Sequence, residues 1–506
     1  MSQHTAAPVR RTIDESSVRA VLRSPRLLTR EALAGLVVAL ALIPEAISFS
    51  IIAGVDPRVG LFSSFVMAVS IAFLGGRPAM ISAATGAVAL VIAPVMRDHG
   101  FDYFIATVLL AGVLQVVLGL LGVAKLMRFI PRSVMVGFVN ALAILIFMAQ
   151  VPHLLGVPWL VYPLVAAGLA ILVLLPRLTR VVPAPLVAIV VLTGVVLAFG
   201  LAAVPNVGDE GELPRSLPEL FVPAVPLTLE TLGIIGPTAL AMALVGLLES
   251  LMTAKLVDDV TDTRSSKTRE SWGQGVANVL SGLFGGMGGC AMIGQTMINV
   301  KASGARSRVS TFLAGVCLLL LVVVLGDVVA LIPMAALVAV MIMVSVGTFD
   351  WHSVAPATLR RMPLGETVVM VVTVVVVVAT HNLAIGVGVG VVTAMVLFAR
   401  RVARFATVAR ELVEEDGAAT ARYTVEGELF FASSNDLTTQ FAYADDPDRV
   451  VIDLGRSHIW DASTVAALDA IETKYARLGT RVELRGLNDA SVRMRERLAG
   501  NLGAGH

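Results

Sequence analysis

Residues 285–308 read Gly-Gly-Met-Gly-Gly-Cys-Ala-Met-Ile-Gly-Gln-Thr-Met-Ile-Asn-Val-Lys-Ala-Ser-Gly-Ala-Arg-Ser-Arg. This stretch lies between long apolar runs and is unlike any of them. Its opening glycines disfavour a helix, whereas the residues from about Gln295 to Ala302 favour one. We therefore predict an extended segment that enters a membrane and turns into a short helix near mid-bilayer. Irregular backbone at that depth must be buried in protein or line a cavity, because lipid cannot satisfy its amide groups.

A helix that begins inside the membrane directs its free N–H groups and the positive end of its dipole at the space in front of it. The natural occupant of that space is an anion. The stretch therefore predicts an anion-binding cavity within the bilayer.

The composition of the whole chain is that of a membrane protein. Of its 506 residues, 57% are apolar and only 15% are charged, and the mean hydropathy is +0.85. Soluble domains do not have such a composition. The net charge of +1 gives no indication of a nucleic-acid partner. Cys290 and Cys317 fall in apolar segments without metal-ligand spacing, so we expect them to be small packing residues.

The first 30 residues are basic, but they also carry Asp14, Glu15 and Pro25. No small-residue cleavage site follows an apolar run there, as it would in a removable signal. Residues 1–30 therefore predict a cytoplasmic tail, and residues 31–404 a transmembrane domain.

Apolar runs between proline, glycine and charged residues predict the membrane segments. A crossing helix needs about 20 apolar residues, or fewer where it is broken. Two short segments, 86–97 and 294–304, must cross together with the extended stretches 78–85 and 286–293. The other candidates are 31–53, 59–74, 102–123, 129–150, 160–175, 183–203, 229–255, 272–285, 309–332, 334–347, 366–381 and 383–400.

The orientation follows from the basic residues, which are enriched in short cytoplasmic loops. With a cytoplasmic N-terminus, the outer loops hold only Arg58, Arg97 and Arg215, and both chain ends lie in the cytoplasm. The basic residues that then fall inside are Arg77, Lys125, Arg128, Arg132, Arg177, Arg180, Lys255, Arg264, Lys267, Arg269, Lys301, Arg306, Arg308, Arg360, Arg361, Arg400, Arg401 and Arg404.

Two pairs of motifs indicate an internal repeat. Glu45 is followed about forty residues later by Thr85-Gly86-Ala87-Val88, and Glu249 is followed after a similar interval by Gly294-Gln295-Thr296. Each half, 31–203 and 229–404, has seven segments, so the second copy is inverted relative to the first. Inverted repeats with facing half-helices are typical of secondary transporters whose site lies at the repeat interface.

The chain resembles the sulfate permease family of anion transporters, and the resemblance covers nearly its whole length. Each motif alone would be weak, but their order makes the resemblance specific. The motifs are Ala34-Gly35-Leu36, Leu42-Ile43-Pro44-Glu45-Ala46, Ala53-Gly54-Val55-Asp56-Pro57, Gly75-Gly76-Arg77, Glu249-Ser250, Gly275-Val-Ala-Asn278 and Ala302-Ser-Gly304-Ala305-Arg306.

The resemblance implies an α-helical polytopic membrane protein with fourteen transmembrane segments in seven-plus-seven inverted repeats. It also implies a mobile core that holds the site, a gate that carries dimer contacts, and a homodimer in the cytoplasmic membrane of a prokaryote. The family carries sulfate, bicarbonate, halides, oxalate or dicarboxylates. By position, its substrate-binding residues would be Thr85, Gly86, Ala87 and Val88 at one half-helix and Gly294, Gln295 and Thr296 at the other.

Two departures from the family pattern affect the site. Several members have an Arg near Gln295 or Thr296, and its absence here argues against anion binding to a fixed positive charge. Many members have a proline just before the second half-helix, where this chain has Met287-Gly288, and this predicts a looser approach to the site.

Two carboxylates in apolar helices are the candidate coupling residues. A carboxylate within a spanning helix is costly and usually functional, so we expect Glu249 to bind the coupling ion. Beside an anion it repels the substrate when ionised, so a proton and an anion should favour each other's binding. A sodium ion at the same carboxylate is the alternative. Glu45 follows Pro44 and should lie at a gap in its helix, where coupling and structural capping fit equally well.

We expect other polar residues in the apolar segments to have mainly structural roles. We expect Ser48 to hydrogen-bond back to its own helix. Gln115 and Asn140 either face the site or join helices, and the pattern favours the second.

After Arg404 the chain becomes highly charged, which marks a domain boundary. We expect a linker at 405–419 and a small α/β domain at 420–506, with strands at 422–432, 449–454 and 481–487. The order of elements resembles the STAS domain. Stand-alone STAS regulators accept phosphate on a Ser after an Asp, but Asp461 is followed by Ala462, so a docking or dimer-supporting role with a cytoplasmic partner fits better.

The sequence therefore predicts a secondary active transporter of small anions. A proton-coupled symporter of a carboxylate or oxyanion, such as fumarate, bicarbonate or sulfate, fits best. A sodium-coupled bicarbonate transporter, an anion exchanger and a membrane sensor that signals through the STAS domain are the alternatives. No nucleophile–base pair, metal cluster or nucleotide loop is evident, so we expect neither an enzyme nor a cofactor.

Overall fold

The structure is a computed structural model of the protein. It describes residues 16–125, 130–178, 183–214, 216–226, 228–403, 407–415 and 418–499, apart from the side chains of residues 403, 435 and 436. The chain divides into two compact units, residues 1–391 and 392–506. Half of the predicted tail, part of the predicted linker and four of the basic residues used for orientation lie outside the described ranges, namely Arg128, Arg180, Arg215 and Arg404.

The first unit is helical. A short helix α1 (Val18–Arg23) precedes α2 (Pro25–Ala53), in which Pro25 occupies the first turn, where no N–H donor is needed. The helices that follow are α3 (Pro57–Leu74), α4 (Gly86–His99), α5 (Phe101–Leu120), α6 (Arg132–Gln150), α7 (Val161–Leu178), α8 (Ala184–Ala198), α9 (Leu229–Thr261), α10 (Lys267–Leu283), α11 (Ile293–Met297), α12 (Arg308–Ala330), α13 (Met334–Thr348), α14 (Pro356–Arg361), α15 (Leu364–Thr380) and α16 (Leu383–Ala403).

These helices match the predicted membrane segments, with α1 and α14 as short additions. Eight helices in the described ranges are long and apolar enough to cross a membrane, and α8, α13 and α15 are shorter apolar helices. Three predicted ends are wrong: α8 stops at Ala198, α9 continues to Thr261 and α10 already begins at Lys267. The additional turns of α9 and α10 are polar, so hydropathy could not reveal them.

Two crossings are broken, as the sequence predicts. Helix α4 has 14 residues and extends over about 21 Å, less than the hydrocarbon thickness of ~30 Å. Strand β1 (Ser82–Ala83) leads into α4, and strand β2 (Cys290–Ala291) leads into α11. The two strands pair in antiparallel fashion, with Ser82 opposite Ala291. The chain therefore passes through this meeting point in opposite directions, as inverted repeats require.

The second half-helix differs in detail from the prediction. Its α-helical part ends at Met297, and residues 298–302 form a π-helical turn. Asn299 lies in this turn, and its Nδ2 donates to Ala79 O (2.8 Å) and to Ser310 Oγ (3.0 Å). A π turn widens a helix locally and is common near functional sites.

Helix α2 continues through Pro44, so the predicted gap at Glu45 is wrong. Ser48 Oγ donates to the carbonyl of Pro44 (2.8 Å), which confirms the predicted bond to its own helix. Glu45 therefore caps no free helix end, and its side chain is available to other elements.

Glycines allow α15 and α16 to pack closely. A Cβ on Gly386 would lie 2.0 Å from Val377 Cγ2, and one on Gly390 would lie 2.2 Å from Thr373 Oγ1. Larger residues would force the two helices apart.

The second unit is a small α/β domain. Its sheet has the order β3-β4-β5-β6, in which β3 runs antiparallel to β4 and the other pairs are parallel. Its elements are β3 (Thr407–Glu415), β4 (Ala418–Leu429), α17 (Phe431–Leu437), β5 (Arg449–Ile459), α18 (Ala462–Arg477), β6 (Arg481–Arg485) and α19 (Asp489–Leu498). Residues 407–415 thus form an edge strand where the sequence suggested a linker. The strand is largely exposed and charged, so it lacks the apolar alternation of a buried strand.

Helix α18 begins where the sequence suggested. Asp461 is its N-cap, and the carboxylate accepts hydrogen bonds from Thr464 N (3.1 Å) and Phe431 N (2.6 Å). Ala462, the first helical residue, is exposed and has no hydroxyl to accept phosphate.

Candidate anion-binding and coupling site

The first half-helix begins at a capped and buried N-terminus. Thr85 is the N-cap of α4, and its hydroxyl accepts a hydrogen bond from Val88 N (3.4 Å). Residues 86–88 are buried. A Cβ on Gly86 would lie 2.8 Å from Phe49 Cε1, so glycine lets this ring lie against the helix start. The predicted residues at this half-helix are thus together and closely packed.

The second half-helix begins at a more open N-terminus. Gly294 is exposed, and a Cβ placed on it would meet no atom within 4 Å. Gln295 and Thr296 are buried, and Gln295 borders a cavity. The hydroxyl of Thr296 accepts from Ile81 N (3.0 Å) and lies 3.4 Å from Ile81 O. Thr296 therefore fastens the second half-helix to Ile81, the residue before β1.

Glu249 reaches the meeting point of the half-helices through Cys290. Its Oε2 lies 2.8 Å from Cys290 Sγ, which in turn lies 3.1 Å from Thr85 Oγ1. All three side chains are buried. Thr253, one turn further along α9, donates to the carbonyl of Glu249 (2.8 Å). The structure thus connects the predicted coupling residue with Thr85, the cap of α4, and Cys290 is more than the small packing residue that the sequence suggested.

Glu45 reaches the other half-helix. Its side chain interacts with that of Gln295. Both residues line a cavity of about 550 Å³ between α2, α7, α8 and α11, whose wall is mostly apolar. Arg30 and Glu45 are the charged side chains that line this cavity in the described part of the chain. The cavity therefore leads to the start of the second half-helix without a fixed positive charge beside Gln295.

Asn278 holds the glycine stretch that precedes β2. Its Oδ1 accepts from Gly289 N (2.7 Å), and its Nδ2 donates to Gly289 O (3.0 Å) and to Gln115 Oε1 (2.7 Å). Gln115 Nε2 donates to Ala243 O (3.3 Å). Gln115 therefore joins helices, as the sequence favoured. Asn278 stood in a family motif, but nothing in the sequence pointed to the strand it would hold.

The approach to the second half-helix is firmly held, so the predicted looseness at Met287-Gly288 is wrong. Ser63 Oγ donates to Gly288 O (2.6 Å), and Ser281 Oγ accepts from Gly288 N (3.2 Å). Gly288 has φ +69°, which a non-glycine residue adopts rarely. Hydroxyls from two helices replace the stiffness that a proline would give.

Glu270 holds the approach to the first half-helix in place. Its Oε2 accepts from Gly76 N (2.7 Å) and Arg77 N (3.0 Å), and its Oε1 accepts from Gln274 Nε2 (2.9 Å). The same amide nitrogen donates to Ser82 Oγ in β1 (2.6 Å). Sequence reasoning missed this buried carboxylate because it lies at a polar helix start. Its hydrogen-bond partners are two backbone N–H groups and the side-chain amide of Gln274, so it acts as a structural anchor.

Asn140 lies elsewhere, as the sequence favoured. Its Nδ2 donates to Ser353 Oγ (2.9 Å), and its Oδ1 accepts from Asp350 N (2.8 Å). It therefore holds the loop after α13 to α6.

The arrangement offers hydrogen-bond donors and two carboxylates. Within the described ranges, no group of three or more His, Cys, Asp or Glu residues could hold a metal ion. What the site can do is bind a small ion by main-chain and short side-chain groups and exchange a proton at Glu45 or Glu249.

Comparison with known proteins identifies both units. The sulfate permease family matches residues 28–163 and 159–373, and the STAS domain matches residues 410–500. The chain is 53% identical over 472 residues to "Putative sulfate transporter YbaR" of Bacillus subtilis (strain 168), covering 93% of this chain and 97% of that protein. It is 28% identical over 363 residues to "Bicarbonate transporter BicA" of Picosynechococcus sp., covering 64% of this chain and 63% of that protein.

Two solved structures share the fold. The transmembrane domain of a cyanobacterium bicarbonate transporter BicA matches with a TM-score of 0.61 at 24% identity, over 73% of this chain and 98% of that chain. The murine Slc26a9 anion transporter in the inward-facing state matches with a TM-score of 0.78 at 17% identity, over 93% of this chain and 87% of that chain. The fold is that of a helical membrane transporter with a C-terminal STAS domain. The chain belongs to the sulfate permease family and is a multi-pass anion transporter, not an enzyme.

Proposed function

We propose that the protein is a proton-coupled symporter that holds a small anion between the N-termini of its two half-helices. Thr85, Gly86, Ala87 and Val88 would contact the anion from one side, and Gly294, Gln295 and Thr296 from the other. Glu249 would carry the coupling proton, with Glu45 as a second candidate. One observation carries the proposal: β1 and β2 pair, so that both half-helices begin beside this bridge and each of the two carboxylates contacts its neighbourhood.

The coupling follows from charge. An ionised Glu249 beside the start of α4 would oppose an anion there, in buried surroundings that offer little solvent screening. Protonation removes this repulsion, so the anion and the proton bind with mutual gain. Because the loaded site then carries both, a proton gradient can drive anion uptake.

The substrate would be an anion that needs no fixed cation. The wall around Glu45 and Gln295 is mostly apolar, and Gly294 leaves open space at the helix start. Main-chain donors suit sulfate, bicarbonate and a carboxylate such as fumarate alike. Because relatives are named for sulfate and for bicarbonate, we would assay these two anions first.

Transport would proceed by alternating access in the cytoplasmic membrane, with both chain ends in the cytoplasm. The family division into core and gate fits the cavity, because α2 and α11 carry site residues and α7 and α8 form its opposite wall. We also expect a homodimer, in which the STAS domain supports assembly or binds a cytoplasmic partner.

A panel of radiolabelled anions in proteoliposomes tests the proposal. Sulfate, bicarbonate and fumarate are each offered under an imposed proton gradient, an imposed sodium gradient, or neither. Accumulation that follows the proton gradient alone supports symport. Accumulation with sodium would show the sodium-coupled alternative, and exchange without accumulation would show an exchanger.

The sensor alternative needs a separate control. Deletion of residues 410–506 should leave part of the anion flux, because the site lies wholly in the first unit. Absence of flux in the intact protein, combined with a cellular response that is lost on deletion, would favour a sensor.

A further inference from the structure

We propose that Thr85, Cys290 and Glu249 form a hydrogen-bond relay that frees the Thr85 hydroxyl for the anion only when Glu249 is protonated. This inference rests on the proposed function, because it supplies a route by which the proton on Glu249 strengthens anion binding. It adds a role for a thiol that neither charge repulsion nor the helix dipole requires.

The three side chains lie in a row, with the thiol of Cys290 in the middle. Cys290 Sγ lies 2.8 Å from Glu249 Oε2 and 3.1 Å from Thr85 Oγ1, so the thiol separates the carboxylate from the hydroxyl. Relative exposures of 8% for Glu249, 0% for Cys290 and 2% for Thr85 leave little room for water. Each thiol or hydroxyl has one proton to donate, so the direction of one bond fixes the direction of the next.

With Glu249 ionised, the carboxylate can only accept. The thiol of Cys290 then donates to Oε2, and the sulfur accepts the hydroxyl proton of Thr85. The Thr85 oxygen already accepts from Val88 N, so its one proton is used inside the protein. Thr85 has no donor left for an anion in this state.

With Glu249 protonated, the directions reverse. The new carboxyl O–H donates to the sulfur, and the thiol S–H turns to donate to the Thr85 oxygen. The Thr85 O–H is then free to point at an anion at the start of α4. No covalent bond changes except the O–H formed at Glu249 by a proton from solvent, and the other two protons stay on their own atoms.

No other described titratable side chain lies at hydrogen-bonding distance from Glu249. On the helices packed against α9, the titratable and charged groups occur at the ends. They are Arg97, Asp98 and His99 in α4, Asp102 and Tyr103 in α5, and Lys267, Arg269 and Glu270 in α10. Glu45 interacts with Gln295 in the second half-helix. Cys290 is therefore the group through which Glu249 acts on Thr85.

The thiol itself can report the switch. The chain has two cysteines, so Cys317→Ala leaves Cys290 as the one source of an S–H infrared band in the full-length protein. In proteoliposomes without substrate, we expect this band to shift with pH, from a strongly bonded thiol when Glu249 is ionised to a weaker one when it is protonated. In the Cys317→Ala protein that also carries Glu249→Gln, the S–H band should stay at one frequency as the pH changes.

Transport kinetics give the second readout. They use whichever of radiolabelled sulfate, bicarbonate or fumarate the unaltered protein takes up, with half-saturation measured at acidic and alkaline pH. Cys290→Ala frees Thr85 in both states, so it should tighten half-saturation at alkaline pH by about tenfold, the lower end of the effect of one hydrogen bond to a charged group. Half-saturation at acidic pH should stay unchanged. Cys290→Ser keeps both bonds and should retain the full pH span.

A merely structural role for Cys290 would weaken half-saturation at both pH values alike, and that result would overturn the relay. A band that does not shift with pH, in a protein whose uptake follows the proton gradient, would overturn it too. Uptake that ignores the proton gradient in the unaltered protein would instead refute the proposed symport, so the two failures are distinguishable.

Discussion

The thiol of Cys290 lies 2.8 Å from the carboxylate of Glu249 and so links helix α9 to the strand before the second half-helix. Its other contact, Thr85, belongs to the first repeat. Glu45 of the first repeat lines one cavity with Gln295 of the second and interacts with it. Each carboxylate is thus connected to the opposite repeat, which is what a site at the repeat interface requires.

Alanine substitutions at two glycines of residues 285–308 should affect different properties, stability in one case and uptake in the other. A Cβ on Gly289 would lie 1.9 Å from Ala83 O, so Gly289→Ala should separate β1 from β2 and lower stability by about 1–3 kcal/mol or more. Gly294→Ala meets no atom within 4 Å and should fold normally, but its methyl group would occupy the proposed anion space and weaken uptake several-fold. Thermal unfolding in detergent and proteoliposome uptake separate the effects. Equal loss of stability in both variants would contradict this account of the site.

Asn278 and Asn140 provide a matched pair of buried amides. Replacing either by alanine leaves backbone groups unsatisfied, so each variant should lose about 1–3 kcal/mol of stability. Asn278→Ala should also raise the half-saturating anion concentration, because Asn278 holds the strand before the second half-helix. Asn140→Ala should leave it unchanged, because its partners lie after α13. Equal effects on half-saturation would argue against a site at the strand pair.

The STAS unit should lose stability at alkaline pH. Tyr423 and Tyr475 are buried and donate to the carboxylate of Asp446, the first at 2.6 Å, and Arg410 Nε lies 2.7 Å from the same carboxylate. Burial above all, and then the bond to Asp446, raises the pKa of both tyrosine hydroxyls.

A raised pKa means that the folded domain holds these protons more tightly than the unfolded chain. Their contribution is complete below about pH 10, the ordinary pKa of tyrosine, and falls as the pH rises above it. Limited proteolysis within residues 407–499 of the full-length protein, in graded urea at neutral and alkaline pH, measures this. Tyr475→Phe should reduce stability at neutral pH and flatten the dependence. If the stability of the Tyr475→Phe variant depended on pH as before, groups other than this tyrosine would cause the loss of stability at alkaline pH.

Much of the architecture could be predicted from the sequence, because apolar length and loop charge are local signals. The glycines before Gln295 and the helix start near Asp461 are visible in the same way, since turns and helix starts need particular residues. The sequence predicts extended stretches before both half-helices but not the pairing of β1 with β2, because two-residue strands have no periodicity of their own.

The rest depended on contacts between distant residues. Asn278 contacts Gln115 and Glu270 contacts Gly76, partners far along the chain, and polar helix starts resemble solvated ends in sequence. Cys290 looked like a packing residue because its two neighbours come from other elements. The continuity of α2 at Pro44 was also hidden, since proline usually breaks a helix.

The most direct test of proton coupling is gradient-driven uptake by the Glu249→Gln variant in proteoliposomes. Glu230→Gln, an exposed glutamate on the same helix α9, is the matched control. We expect Glu249→Gln to remain folded and to lose accumulation under a proton gradient while retaining exchange of labelled anion, and Glu230→Gln to behave like the unaltered protein. Undiminished proton-driven accumulation in Glu249→Gln would contradict the account.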